Sequence, residues 1–342
     1  MSLPPELSLQ QLLEALLDED TPLHPRFLYR LSDLEPEEIE QLADIWPRLP
    51  LWRKRALLED VVELSEKDTL LSFLSLGRYA AQDEDARVRV LAVHILWEYE
   101  DKDLIPLYLK MLDTDREADV RAAAAGALGN YVSAGEMEEI PAKILHQIEE
   151  RLLKVISSSD APQVRRAALE ALGYSSRKDV APLIQEAFAS KEKEWIASAL
   201  FAMGRSGEES WNHQVLEMLS SPLPLLRGEA AHAAGELSIS EAVPLLLELL
   251  DDPDDATRQA SMWSLSQLGG EGVREALEAI YEESEDDQEI AFLEEVLDNL
   301  AFVEGAPLRP IIEFPQTEED QEDESDLYDL LDDYEDDEEA ED

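Results

Sequence analysis

The chain contains no cysteine, and only 28 of its 342 residues are basic against 80 that are acidic. Without thiols there is no disulfide framework, no thiolate metal site and no cysteine nucleophile. A formal net charge of -52 repels phosphate. That argues against sequence-independent nucleic-acid binding and against attachment to anionic lipid. No apolar run approaches the 18 or so residues of a membrane span. The opening Met1-Ser2-Leu3-Pro4-Pro5-Glu6 lacks the basic start and apolar stretch of a secretory signal, so the expected setting is the cytoplasm. Aromatic residues make up only 6%, yet 44% of residues are hydrophobic, enough for a large core.

The acidity is uneven. From Gln316 to Asp342, 17 of 27 residues are Asp or Glu and none is basic. Such a segment repels itself and has little to bury, which predicts a disordered acidic tail. Residues 304–315 before it hold Pro307, Pro310 and Pro315 and read as an extended linker. Residues 1–315 still carry 63 acids against 28 bases, a pattern shared with halophilic proteins.

What the chain does have is repetition. Val164 to Gly173 reads VRRAALEALG. Steps of 31 residues give WIASALFAMG from Trp195, LRGEAAHAAG from Leu226 and TRQASMWSLS from Thr257, with a degenerate copy from Gln288. Backward lie VRAAAAGALG from Val120 and VRVLAVHILW from Val88. Each copy keeps apolar or small residues at offsets 0, 4, 7 and 8, a helical spacing. A second apolar helix follows each copy, and Pro106, Pro182 and Pro244 share offset 18, suited to a first helical turn. An acidic turn such as Asp251-Asp252-Pro253-Asp254-Asp255 then offers N-caps. Periods of this length signal a solenoid. The expected fold is all-α: a superhelix of about seven or eight helix pairs over residues 36–303. Residues 1–35, with an amphipathic helix over Leu7–Leu17, would cap it. Helices are expected over Pro36–Trp46, Leu51–Leu64 and Asp68–Gln82.

These residues resemble the HEAT repeat, in the subgroup named after phycobilisome lyases, whose hallmark is an acidic turn and then Val-Arg. That reads here as Asp85…Val88-Arg89, Asp119-Val120-Arg121 and Asp160…Val164-Arg165, then as Leu226-Arg227 and Asp255…Thr257-Arg258. The resemblance spans about residues 86–302 and, more loosely, 36–85. Two departures stand out. Ile196 takes the place of Arg, and about 13 extra residues lie near Val132–Gln147. The Asp/Arg series reads as caps and inter-repeat ion pairs, a stacking device and not a row of catalytic acids.

Chemistry is sparse. None of His24, His94, His146, His213 and His232 lies four residues from another, so no local two-histidine metal site forms. The HEAT-type deoxyhypusine hydroxylases ligate iron through His-Glu dipeptides, and this chain has none. No phosphate-binding or nucleophile-elbow motif is present, and Gly269-Gly270-Glu271-Gly272 reads as a turn. No catalytic residue, metal or cofactor is assigned.

In a HEAT stack the second helix of each pair lines the concave face. Helical geometry puts offsets 2, 6 and 9 opposite the core. Offset 6 reads His94, Gly126, Glu170, Phe201, His232 and Trp263, and offset 10 adds Tyr174 and Arg205. Aromatics at exposed sites beside small residues predict a partner-binding groove of Tyr174, Phe201, Arg205, His232 and Trp263. The competing reading is that twist buries offset 6. Trp97 and Trp195 read as structural. In the tail, Leu327, Leu330, Leu331 and Tyr334 follow i, i+3, i+4, i+7 spacing, a stripe that could recruit a protein or dock in the chain's own groove. The expected function is a non-enzymatic scaffold or adaptor for a protein partner, basic or amphipathic in character. The alternative is a bilin-lyase-like or cofactor-loading accessory acting on a client protein.

Overall fold

The computed structural model describes residues 7–97 and 99–305, and every element among them is helical. Helices α1 (Leu9–Leu17) and α2 (Arg26–Tyr29) precede α3 (Pro36–Ile45) and α4 (Leu51–Lys67). Seven pairs follow: α5 (Leu74–Ala80) with α6 (Ala86–Leu96), α7 (Ile105–Thr114) with α8 (Ala118–Glu136), and α9 (Ala142–Ile156) with α10 (Pro162–Leu172). Next come α11 (Val180–Phe188) with α12 (Lys193–Ser206), α13 (Asn212–Met218) with α14 (Pro224–Glu236), α15 (Val243–Leu249) with α16 (Asp255–Leu268), and α17 (Val273–Glu283) with α18 (Asp287–Val303). Each second helix packs on its own first helix and on the second helices before and after it. The result is an α-solenoid with a continuous row of second helices, α4 to α18 by even numbers.

Local chemistry sets the boundaries. Pro106 and Pro244 occupy the first turns of α7 and α15, where a missing N–H costs nothing. Asp85 caps α6 by accepting from the Val88 amide, and Asp254 caps α16 through Thr257. The extra residues near Val132 lengthen α8 to 19 residues. Two expectations shift. Helix α4 continues to Lys67, and α5 is confined to Leu74–Ala80. The intervening strand of chain is held open by other bonds: Asp33 N–H to the Ser72 carbonyl, and Phe73 N–H to the Tyr99 hydroxyl. The short helix α2 lies in the N-terminal region without a counterpart in the sequence reading. Arg53 of α4, 3% exposed, ties that region down by donating to the Asp18 and Thr21 carbonyls.

The second-helix row is close-packed through offset 9. Gly129 abuts Ala171, Gly173 abuts Ala202, Gly204 abuts Ala233 and Gly235 abuts Ser264. In every case an offset-9 glycine meets offset 7 of the next repeat. A Cβ on Gly173 would sit 2.8 Å from the Ala202 Cα, and one on Gly204 3.0 Å from the Ala233 Cα. These small residues therefore make the seam between helices. The expectation that offset 9 lies opposite the core, flooring a groove, is corrected on this point: Gly129, Gly173, Gly204 and Gly235 are all buried.

A ladder of ion pairs runs along the turns. Arg89 donates through Nε and Nη2 to Asp115 of the next repeat, both at 2.8 Å. Arg227 does the same to Asp252 at 2.7 and 2.8 Å, and Arg121 pairs with Asp160. The Nη1 of each arginine donates backward to a carbonyl of its own turn: Asp83, Asp115 or Ser221. Lys54 and Asp83 supply an earlier rung at 2.8 Å. Asp115 and Asp252 serve as rungs and Asp254 as a cap, whereas Asp85 does both, capping α6 while accepting two bonds from Arg55 of α4. The Arg227 hydrogen bonds first, and then a turn amide, hold Asp252 below the ordinary carboxylate range against the opposing effect of burial. A depressed folded pKa contributes stability at neutral pH that is lost as pH falls through it.

The glycine seam yields a paired prediction. Gly173→Ala forces backbone against backbone and should lower stability by about 1–3 kcal/mol. Gly228→Ala, in helix α14, meets nothing nearer than Thr257 at 3.7 Å. It should be neutral or stabilising by roughly 0.5–1 kcal/mol, since alanine is the better helix former. Thermal denaturation of both variants checks this; equal effects would contradict the seam.

Candidate functional site

Offset 6 faces solvent. His94 and His232 are exposed, and Gly126, Glu170, Phe201 and Trp263 are half-buried, while offsets 4, 7 and 8 of the same helices are buried. The twist of the stack does not carry offset 6 into the core.

Four of the five sequence-predicted site residues come together. Arg205 on α12 lies with its guanidinium carbon 5.3 Å from the Tyr174 ring centroid and 5.0 Å from that of Phe201. The rings draw on the cation through their negative faces. The same guanidinium pairs with Glu236 of α14 at 2.9 Å. Phe201, Arg205, Glu229, His232 and Glu236 line a cavity of about 250 Å³ between α12 and α14. Trp263 stands one repeat further on, packed against the core by part of its surface and outside the lining of that cavity.

Electrostatics at the cavity are uneven. His232 is exposed at its edge but crowded by the cavity walls, and that desolvation pulls it below the ordinary imidazole value, with the Arg205 charge adding to it. Burial also raises Glu236, with Arg205 opposing. Glu229 is the largest departure: burial, reinforced by the charge of Glu170, pushes its carboxyl up to about 7. Glu170 itself accepts a hydrogen bond from Ser198 Oγ. The cavity thus holds carboxylates in excess of its one guanidinium.

A second cavity of about 440 Å³ continues the same face toward the N-terminus, lined by Trp97, Asn130, Met137 and Tyr174 among others. Trp97 is 38% exposed and Met137 64%. The reading of Trp97 as structural is corrected here. It stands at offset 9, where the next five repeats carry glycine or serine, and an indole cannot fit the seam. Its ring turns outward over Gly126, where a Cβ would meet the indole at 3.2 Å. A tryptophan at a seam position, one repeat before a glycine at offset 6, was the available signal. Trp195 is half-buried against the core, with the Arg165 guanidinium 5.2 Å from its ring centroid. Leu327, Leu330, Leu331 and Tyr334 lie outside the described residues.

The match to a family model agrees with the architecture. Residues 75–142 and 212–297 match the family model of HEAT repeats. Among curated proteins no sequence matches. Similar solved structures include the E. coli protein YibA, at 16% identity and TM-score 0.40, covering 82% of this chain and 98% of that one. They also include human deoxyhypusine hydroxylase bound to glycerol, at 18% identity and TM-score 0.35, covering 86% and 96%. An engineered protein matches at 18% identity and TM-score 0.35, covering 60% and 99%.

Glu229 generates a pH prediction. Its ordinary value is 4.5, so between there and about 7 the folded chain holds a proton that the unfolded chain releases. Stability therefore falls as pH rises through that window and stays reduced above it. Glu229→Gln should stabilise the chain by about 1–2 kcal/mol at pH 8, with the gain shrinking toward zero at pH 5. Thermal melts at both values check it; a pH-independent difference would contradict it.

Proposed function

We propose that this chain is a non-enzymatic scaffold whose second-helix row, the concave side of a solenoid of this kind, binds a protein partner. HEAT repeats commonly mediate protein interactions. One observation carries the reading: Phe201, Arg205 and His232 line a solvent-facing cavity, and Arg205 also lies over the ring of Tyr174 beside it, although nothing in the stacking requires aromatic residues there. Aromatic and arginine side chains around a partly desolvated pocket have the character of binding hot spots. Trp263 extends the surface by one repeat and Trp97 opens its other end. Glu170, Glu229 and Glu236 favour a partner that is basic or amphipathic. The ion pairs of the ladder serve stacking. The Val-Arg openings of α6, α8 and α10 support the phycobilisome-lyase-like repeat pattern as a description of sequence, without its chemistry. A cytoplasmic setting belongs to the same proposal. Among the described residues no helix is long and apolar enough to cross a membrane.

The test is affinity capture from the native host with wild type and with Phe201→Ala/Trp263→Ala. Loss of two hot-spot side chains should weaken a captured partner by at least about tenfold, which corresponds to 1.4 kcal/mol. Retention of every partner by the double variant would overturn the proposal.

A further inference from the structure

The ladder has a vacant rung. Every rung described above needs an arginine or lysine on one repeat and an aspartate in the turn of the next. At the turn after α11, Ser190 stands where Asp83, Asp115 and Asp252 stand in other repeats. Its hydroxyl still closes the turn by accepting from the Glu192 amide, as Asp115 does for Glu117 and Asp252 for Asp254. It has no carboxylate to offer Arg165. Arg165 donates through Nε to the Ile156 carbonyl at 2.8 Å and lies over Trp195, and its two Nη groups donate to nothing among the described residues. The next position shows the contrast. There Ile196 replaces the arginine and Ser221 the aspartate, so both halves of the rung are gone together. Arg258, facing Ser284, turns to Asp255 of its own helix. Of the arginines at this offset, Arg165 alone has no carboxylate partner among the described residues.

Beside Arg165 lies a cavity of about 340 Å³ walled by Leu169, Leu183 and Trp195. Glu186 and Glu192 stand at its rim. The wider surroundings are the least acidic of the chain. Residues 143–193 carry nine Lys or Arg against seven Asp or Glu, in a protein of net charge -52.

We propose that this cavity is a docking site for the chain's own acidic tail, with an aspartate of the segment 326–334 completing the rung on Arg165 and leucines of the same segment packing on Leu169, Leu183 and Trp195. A planar guanidinium with both Nη groups free suits end-on, bidentate carboxylate binding. The segment alternates the two chemistries the site displays: Asp326, Asp329, Asp332 and Asp333 lie among Leu327, Leu330, Leu331 and Tyr334. The chain is long enough. Four layer steps lead from α10 to α18, on the order of 40 Å at roughly 10 Å per layer. The 21 residues from Gly305 to Asp326 span up to about 70 Å when extended. In the α12–α14 cavity, by contrast, Arg205 is already paired with Glu236 and offers the tail no open rung, so the tail and an external partner occupy different sites.

The absence of native cysteine makes the test clean. A nitroxide on Ser325→Cys of the full chain is expected to remove most of the intensity of the Trp195 indole resonance while leaving that of Trp263 sharp. Arg165→Glu should restore the Trp195 signal. So should Leu330→Ser/Leu331→Ser, which leaves the helical stack untouched. An unbroadened Trp195 resonance, or broadening that persists in both variants, overturns the proposal. So does broadening centred on Trp263, which would put the tail in the partner groove, or broadening seen only between a spin-labelled and an isotope-labelled copy. None of these results bears on the capture experiment with Phe201 and Trp263, which tests the partner surface separately.

Discussion

The spacing of the second helices is the constraint on which everything else rests. At four successive interfaces an offset-9 glycine lets one helix backbone come within a methyl group of the next. Only residues without bulk allow this, and interiors packed at that density do not deform continuously. The spacing in turn fixes where one repeat's arginine meets the next repeat's aspartate. It also fixes how far apart the offset-6 side chains stand along the open face. Packing, ladder and candidate surface are three consequences of one distance.

The charges divide into two populations. Those in the turns are structural: Arg89, Arg121 and Arg227 each join two repeats while satisfying carbonyls of their own turn. Partly buried and bidentate, they are stronger than ordinary surface pairs. The carboxylates on the open face are different. Glu229 forms no ion pair among the described residues, and burial beside Glu170 raises its carboxyl. A repeat protein whose interior needs are met by the ladder is free to leave such groups unpaired where a partner can reach them. The exceptions to the ladder are as informative as the rule, because a repeat shows what each position would hold by default.

Much of the fold was legible because repetition averages out local ambiguity. The 31-residue step located α10, α12, α14 and α16, and the helical spacing of offsets 0, 4, 7 and 8 identified the buried side of each. The outward direction of offset 6 followed from the same periodicity. The failures have a common cause: a helical wheel sees one helix, and a solenoid helix has neighbours on three sides. Offset 9 looked solvent-facing on the wheel and proved to be a seam. Trp97 looked structural because its offset was read without asking whether an indole could fit there. The cavity floor at Glu229 was invisible, since offset 3 otherwise holds alanine, leucine or serine and nothing marks one glutamate among 80 acids as special. The N-terminal turns depended on pairings between residues far apart in the chain, such as Asp33 with Ser72, which no local pattern encodes.

The most direct test of the central claim is a distance between layers. Nitroxides on Glu170→Cys and Trp263→Cys, three second helices apart on the open face, should show by pulsed electron resonance a single narrow distribution near about 30 Å, three layers at roughly 10 Å each. A broad distribution, or one centred well beyond that value, would mean that the helices do not hold fixed contact and that the face they are said to form is not one surface.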